Sequence, residues 1–175
     1  MTRRRAAGWA FVLALGGLAV ATPAQAAAPG LTISAPAAVA LGSGSPGSTV
    51  VAQLGVVTVS TGGLLGASAT WAASVSSTTF STGGGSAPET IGVERVSYWS
   101  GPPTDTRGLA LNACTPGQAL AAQAETLDQT RTAFRCTGTS LLAGTSLSWN
   151  PTIAISLPDT AVAGSYTGTI THSVV

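Results

Sequence analysis

The sequence predicts an all-β protein, an antiparallel β-sandwich of roughly eight or nine strands, and three observations carry that prediction. First, from Ser146 to Val174 the chain alternates. Leu147, Trp149, Pro151, Ile153, Ile155 and Leu157 share one face, and Ser148, Asn150, Thr152, Ala154 and Ser156 share the other. A period of two is the mark of a strand with one buried and one wet face. After Pro158-Asp159 and Ala163-Gly164 a second alternation sets Tyr166, Ile170 and Val174 against Ser165, Thr167, Thr169, Thr171 and Ser173. Two strands with one apolar face each need a second sheet to cover them. Second, glycine and proline punctuate the rest of the chain into further short alternating runs. Third, only Ala119 to Leu127 is rich in helix-favouring residues, and that stretch is too short to hold a helix without tertiary support.

Residues 1–26 read as a secretory leader and 27–175 as one sandwich domain. Arg3, Arg4 and Arg5 form a basic start, Ala6 to Ala21 is apolar, and Ala24-Gln25-Ala26 supplies a small-x-small cleavage site. The alternative, a retained anchor, would have to cross a bilayer core that takes roughly 20 residues, more than this run offers. The expectation is therefore an exported chain that starts at Ala27 and has no membrane span once the leader is removed.

Within the domain, Leu31 to Ala35 is a short extended segment stopped by Pro36, and Gly42 to Gly47 is a flexible loop. Val50, Ala52 and Leu54 share one parity while Val57 and Val59 share the other, with Gly55 between them. A glycine at a change of parity predicts a β-bulge or a tight bend. Trp71, Ala73 and Val75 alternate with Ala72, Ser74 and Ser76. The triple glycine in Ser81 to Pro88 marks the segment most open to motion. Ile91 to Trp99 changes parity again and ends at Gly101-Pro102-Pro103. Leu109 and Leu111 suggest a short strand before Cys114. Thr130 to Thr137 places Phe134 and Cys136 on one side and Arg131 and Arg135 on the other.

The two cysteines, Cys114 and Cys136, read as one disulfide in an oxidising compartment, worth roughly 3 kcal/mol for a loop of about 20 residues. A metal pair would need further ligands, and the chain has one histidine and no C-x-x-C spacing. No metal or other cofactor is expected.

Three of the seven basic residues lie in the leader, which leaves four arginines, no lysine and six acids, a formal charge of about −2. Nucleic-acid binding would require a basic stripe that this chain lacks. Catalytic candidates are equally thin. Gly66-Ala67-Ser68-Ala69-Thr70 approaches a nucleophile elbow but ends in threonine and leads into a strand, and Gly144-Thr145-Ser146 fails in the same way. His172, the one possible base, shares the parity of Tyr166 and Ile170 at the margin of the core. Glu89 with Glu94, or Glu125 with Asp128, could pair as acid and base in glycoside hydrolysis, but neither comes with cleft-lining aromatics. Leu157-Pro158-Asp159-Thr160-Ala161 is only superficially a sortase signal, since Ala stands where Gly should and no apolar span follows. The chain is not expected to be an enzyme, and a secreted hydrolase is the least favoured class.

Tyr98 and Trp99 are adjacent in a strand, so they face opposite ways. One of them is free to stand at the surface, where an aromatic ring can stack on a sugar or anchor a protein contact. They are the candidate ligand contacts; the bland alternative is that Trp99 covers the open end of the sandwich.

These residues also carry a resemblance. Val56-Val57-Thr58-Val59, then Gly66 to Trp71 and Ser76 to Phe80, is similar to the first half of WxL-type domains of Gram-positive surface proteins, with a strand, a glycine-containing turn and a tryptophan strand in that order. Pro158 to Thr171 resembles the closing hairpin of those domains, and equally the ending of spore coat protein U and fimbrial-like sandwiches. Trp71 and Trp149 are followed by Ala72-Ala73 and Asn150-Pro151, without the leucine that names the motif. The resemblance is to WxL-like secreted proteins of actinobacteria. It implies an immunoglobulin-like sandwich held non-covalently at the cell wall, with a cell-wall glycan or another surface protein as partner. The second expectation, from a different class, is an assembly subunit of the fimbrial type completed through an edge strand, with the segment Ala27 to Ala37 as the discriminator.

Overall fold

The fold is that of a computed structural model, and the structure describes residues 12–14, 30–63, 69–109 and 114–175. Among them it is built from strands and short 3-10 turns. In chain order the strands are β1 (Val12–Ala14), β2 (Leu31–Ser34), β3 (Ala40–Gly42), β4 (Thr49–Gln53), β5 (Val57–Thr61), β6 (Trp71–Ser77), β7 (Phe80–Ser81), β8 (Thr90–Ile91) and β9 (Val96–Trp99). Then follow β10 (Pro103–Arg107), β11 (Cys114–Pro116), β12 (Glu125–Thr126), β13 (Arg131–Cys136), β14 (Thr145–Trp149), β15 (Thr152–Ser156), β16 (Ser165–Tyr166) and β17 (Ile170–Val174). Antiparallel sheets pack face to face, as a β-sandwich requires.

The segments outnumber the strands expected from sequence because long strands break where one neighbour carries an extra residue. β14 pairs with β5 and β10, and its continuation β15 pairs with β4 and β9. At the break, Asn150 and Pro151 stand opposite Leu54, Gly55 and Val56 on one side and Ser100, Gly101 and Pro102 on the other. Both partners therefore bulge by one residue, and each absorbs it at a glycine with positive φ, 83° at Gly55 and 72° at Gly101. Proline 151 has no N–H to offer, and its carbonyl takes the Leu54 N–H at 2.8 Å. The parity change around Gly55 is thus a bulge, with Leu54 buried before it and Val57 buried after it.

The second layer runs β11-β13-β6-β17. Cys114 lies directly opposite Cys136 on β11 and β13, and the two are bonded. β13 does not keep the simple alternation expected of it. Its register against β6 skips a residue between Thr132 and Phe134, so Ala133 is the extra residue and both Ala133 and Phe134 are buried. The bulge separates Arg131 from Arg135, which the alternation placed on one side. Arg131 pairs with inward-facing Val75, whereas Arg135 pairs with Ala72 and is exposed.

The layers meet in an aromatic core. Trp149, Tyr98, Phe134, Tyr166 and Phe80 are fully buried, and the Trp149 and Phe134 rings, one from each layer, lie 4.9 Å apart. Trp71 is also buried. The segment from Ala119 to Leu127 contains a 3-10 turn at Ala121–Gln123 followed by β12. Leu111 and Ser68 lie outside the described residues, as does the expected cleavage site. Among the described residues, no helix is long and apolar enough to cross a membrane.

Candidate functional site

Alternation decides where each candidate side chain points. On β9, Val96 and Tyr98 face the core, so Ser97 and Trp99 face out. Tyr98 is entirely buried, and its hydroxyl accepts a hydrogen bond from Trp149 Nε1 at 3.3 Å. Burial pushes the Tyr98 phenol up to about 12, against the smaller opposing effect of that bond. Of the two adjacent aromatics, only Trp99 is left with surface to offer a ligand, and it is half-buried.

Trp99 is the end of a row that crosses three strands. It lies opposite Thr152 on β15, and Thr152 lies opposite Gln53 on β4. The row beside it holds Thr126, Ser97, Ala154 and Val51, with Val51 58% exposed. This outer face is therefore one indole, an amide, hydroxyls and small apolar groups, with no charged side chain in either row. Such a surface can offer a flat ring and neutral hydrogen-bonding groups. The sequence singled out Trp99 but not Thr152 or Gln53, because register across strands is not written in local alternation.

The other candidates are tied into the fold. His172 Nε2 is 3.3 Å from the Tyr98 hydroxyl, and its ring is 6.1 Å from that of Trp149. The Tyr98 hydroxyl and Nε2 share one hydrogen, and the ring's tautomer decides which of them donates it. Burial pushes the His172 pKa down to about 4, so the ring is neutral at ordinary pH. It lines an apolar crevice with Pro36, Val39, Leu54, Val57 and Ile170. That crevice is about 20 Å³, enough for a water molecule and not for a substrate. Ser146 stands in the β14 ladder between Ser60 and Arg107, and the neighbouring Thr145 hydroxyl bonds Thr61 at 2.7 Å.

The carboxylates serve loops. Glu89 accepts from the Ser86 hydroxyl at 2.6 Å and from the Ser86 and Gly84 N–H groups at 3.0 and 3.3 Å. These bonds hold its pKa below the usual carboxylate range and brace the triple-glycine segment. Glu94 lies 4.0 Å from Arg95 on the surface. Arg131 lies 3.7 Å from Glu125 and 2.8 Å from Asp128, so that pair shares one guanidinium. The Thr126 hydroxyl first, and Arg131 after it, hold the Asp128 pKa low. Leu157 and Ala161 are both buried, and the Ala161 N–H bonds the Pro158 carbonyl at 3.1 Å, which makes the sortase-like stretch a turn. Among the described residues, no group of three or more metal-ligating side chains comes together.

The segment chosen to discriminate between a self-contained domain and strand donation is paired. Leu31–Ser34 lies antiparallel against Val57–Thr61, from Leu31 opposite Thr61 to Ser34 opposite Thr58. The chain matches no protein-family model, no curated protein and no solved structure.

Proposed function

We propose that this protein is an exported, non-enzymatic β-sandwich that holds to the cell envelope by stacking Trp99 on a neutral glycan. The observation that carries the reading is the uncharged row Trp99, Thr152 and Gln53 across the outer face. An indole offers an apolar plane to a sugar ring, while a hydroxyl and an amide beside it can meet the sugar's own hydroxyls. The resemblance to WxL-type surface domains implies the same location and partner class.

A glycan held this way is insensitive to ions, because there is no large electrostatic attraction to screen. The test is sedimentation of the purified protein with insoluble peptidoglycan at low and at high salt. The protein should enter the pellet equally in both. Recovery in the supernatant at low salt would overturn the reading, and release by high salt would assign retention to charge instead of stacking.

A further inference from the structure

One corner of the sandwich brings a cation and two exposed leucines together. β10, β14, β5 and β2 lie side by side there, and Arg107, Ser146, Ser60 and Thr32 form one row across them. Their neighbours Thr145, Leu147 and Val59 are buried, so Ser146 and Ser60 face out. Arg107 is exposed, and among the described residues no carboxylate lies within ion-pair distance of it. Beside it is an open cavity of about 230 Å³, lined also by Ser60, Thr61, Ala143, Gly144 and Ser146. An acid shares this face, Asp105, but it stands opposite Ser148, one row further from the loop that joins β13 to β14.

That loop walls the cavity and carries the leucines. Leu141 and Leu142 are 53% and 48% exposed, while Ser140 before them is buried. The loop is braced at both ends. The Leu141 N–H donates to the Gly108 carbonyl at 2.8 Å, and the Gly144 N–H donates to the Gly63 carbonyl at 2.9 Å. Leu142 packs on Gly108, the residue after Arg107, where an added Cβ would come within 3.2 Å of the Leu142 Cβ. No charged residue occurs from Thr137 to Asn150. Two adjacent leucines held in water are a cost that an apolar partner relieves.

We propose that this corner docks on a phospholipid surface, with a headgroup phosphate in the Arg107 cavity and Leu141 and Leu142 among the acyl chains. A guanidinium can take two phosphate oxygens at once, and the Ser60 and Ser146 hydroxyls can donate to others. A free phosphate would use the cavity and leave the leucines wet, whereas an apolar peptide would cover the leucines and leave Arg107 without a counter-charge. An amphiphile that sets a phosphate beside alkyl chains meets both. The corner is independent of the glycan reading. From Ser146 to Thr152, beside Trp99, the chain runs roughly 20 Å at the rise of an extended strand.

Amide NMR of the full chain, titrated with dihexanoylphosphatidylglycerol below the concentration at which it forms micelles, tests the proposal. Shifts read residue by residue keep this corner distinct from the apolar stretch Ala6 to Ala21. The Arg107, Leu141, Leu142 and Ser146 amides should shift together with one dissociation constant, and the Phe134 amide should not move. Inorganic phosphate should bind about ten-fold more weakly, since it forgoes the leucine contacts. Arg107→Gln should weaken lipid binding by about 3- to 5-fold. The double variant Leu141→Ser, Leu142→Ser should weaken it by about ten-fold. Each variant is first shown to leave the Phe134 and Ala73 amides unchanged. The proposal is overturned by absence of shifts at the loop, or by equal binding of phosphate and lipid, which would make this a plain anion site. It is also overturned if either variant binds the lipid as the unmodified chain does.

Discussion

Trp149 and Trp99 lie on adjacent strands of one layer, yet they belong to different environments. Trp149 is fully buried against Phe134, and its Nε1 is spent on the Tyr98 hydroxyl. Trp99 stands on the opposite face beside Thr152 and Gln53. The difference teaches what each face of the sheet is for. The inner face packs its aromatic rings together and links Trp149, Tyr98 and His172 by hydrogen bonds. The outer face leaves one large ring partly uncovered among neutral polar groups, where packing gives it no complete partner.

Breaking the inner face should have the largest effect. Trp149→Ala removes a buried ring from between the layers and strips the Tyr98 hydroxyl of its donor, and should cost about 3–5 kcal/mol in unfolding free energy. A melting temperature lowered by only a degree or two would contradict the assignment.

Next is acid. His172 is neutral in the folded chain with a pKa of about 4, against an ordinary value of 6.5 when unfolded. Above pH 6.5 neither state binds the proton. As pH falls below that value, the unfolded chain takes up a proton that the folded chain refuses, so stability falls until about pH 4 and then levels. The loss should reach about 3 kcal/mol. Glu89 and Asp128, whose pKa values are lowered, add losses in the same direction only towards the bottom of this range. The slope of denaturation midpoint between pH 6.5 and 5 therefore reports His172, and His172→Gln should flatten it. An unchanged slope in that variant would remove the histidine from the inner hydrogen-bonded chain.

The bulges that link the two halves of the layer give a smaller effect. Gly101 has φ of 72°, and an added Cβ would meet nothing closer than the Asn150 carbonyl oxygen at 3.8 Å. Gly101→Ala should therefore cost only the left-handed backbone strain, about 1–2 kcal/mol. Gly55→Ala should cost more, because the Cβ would also come within 2.7 Å of Pro36 Cγ. Equal melting temperatures for both variants would mean that the bulges relax without strain.

Much of this arrangement is legible in the residues themselves. The alternation from Leu147 to Leu157 places Trp149, Ile153 and Ile155 in the core, and the change of parity at Gly55 marks a real bulge. Other features leave no local trace. β10 looks like the end of a strand, since Gly101-Pro102 precedes five exposed residues, Pro103 to Arg107, with no apolar face. It is a strand because it is paired on one side only, with β14, and an edge tolerates proline at its first position. The skip at Ala133 is equally silent, since a small residue fits either an inward position or a bulge. At the candidate site, adjacency shows that Tyr98 and Trp99 part company. Only the cross-strand register shows that Thr152 and Gln53 accompany the one that faces out.

The smallest effect on stability and the largest on function should come from Trp99. The direct measurement is retention on insoluble peptidoglycan of the unmodified protein, Trp99→Phe and Trp99→Ala, each first shown to melt at the same temperature. Loss of one stacked ring should weaken retention of the alanine variant by about 5- to 150-fold, corresponding to 1–3 kcal/mol, with the phenylalanine variant in between. Equal retention of all three proteins would contradict the claim that the outer face binds through this indole.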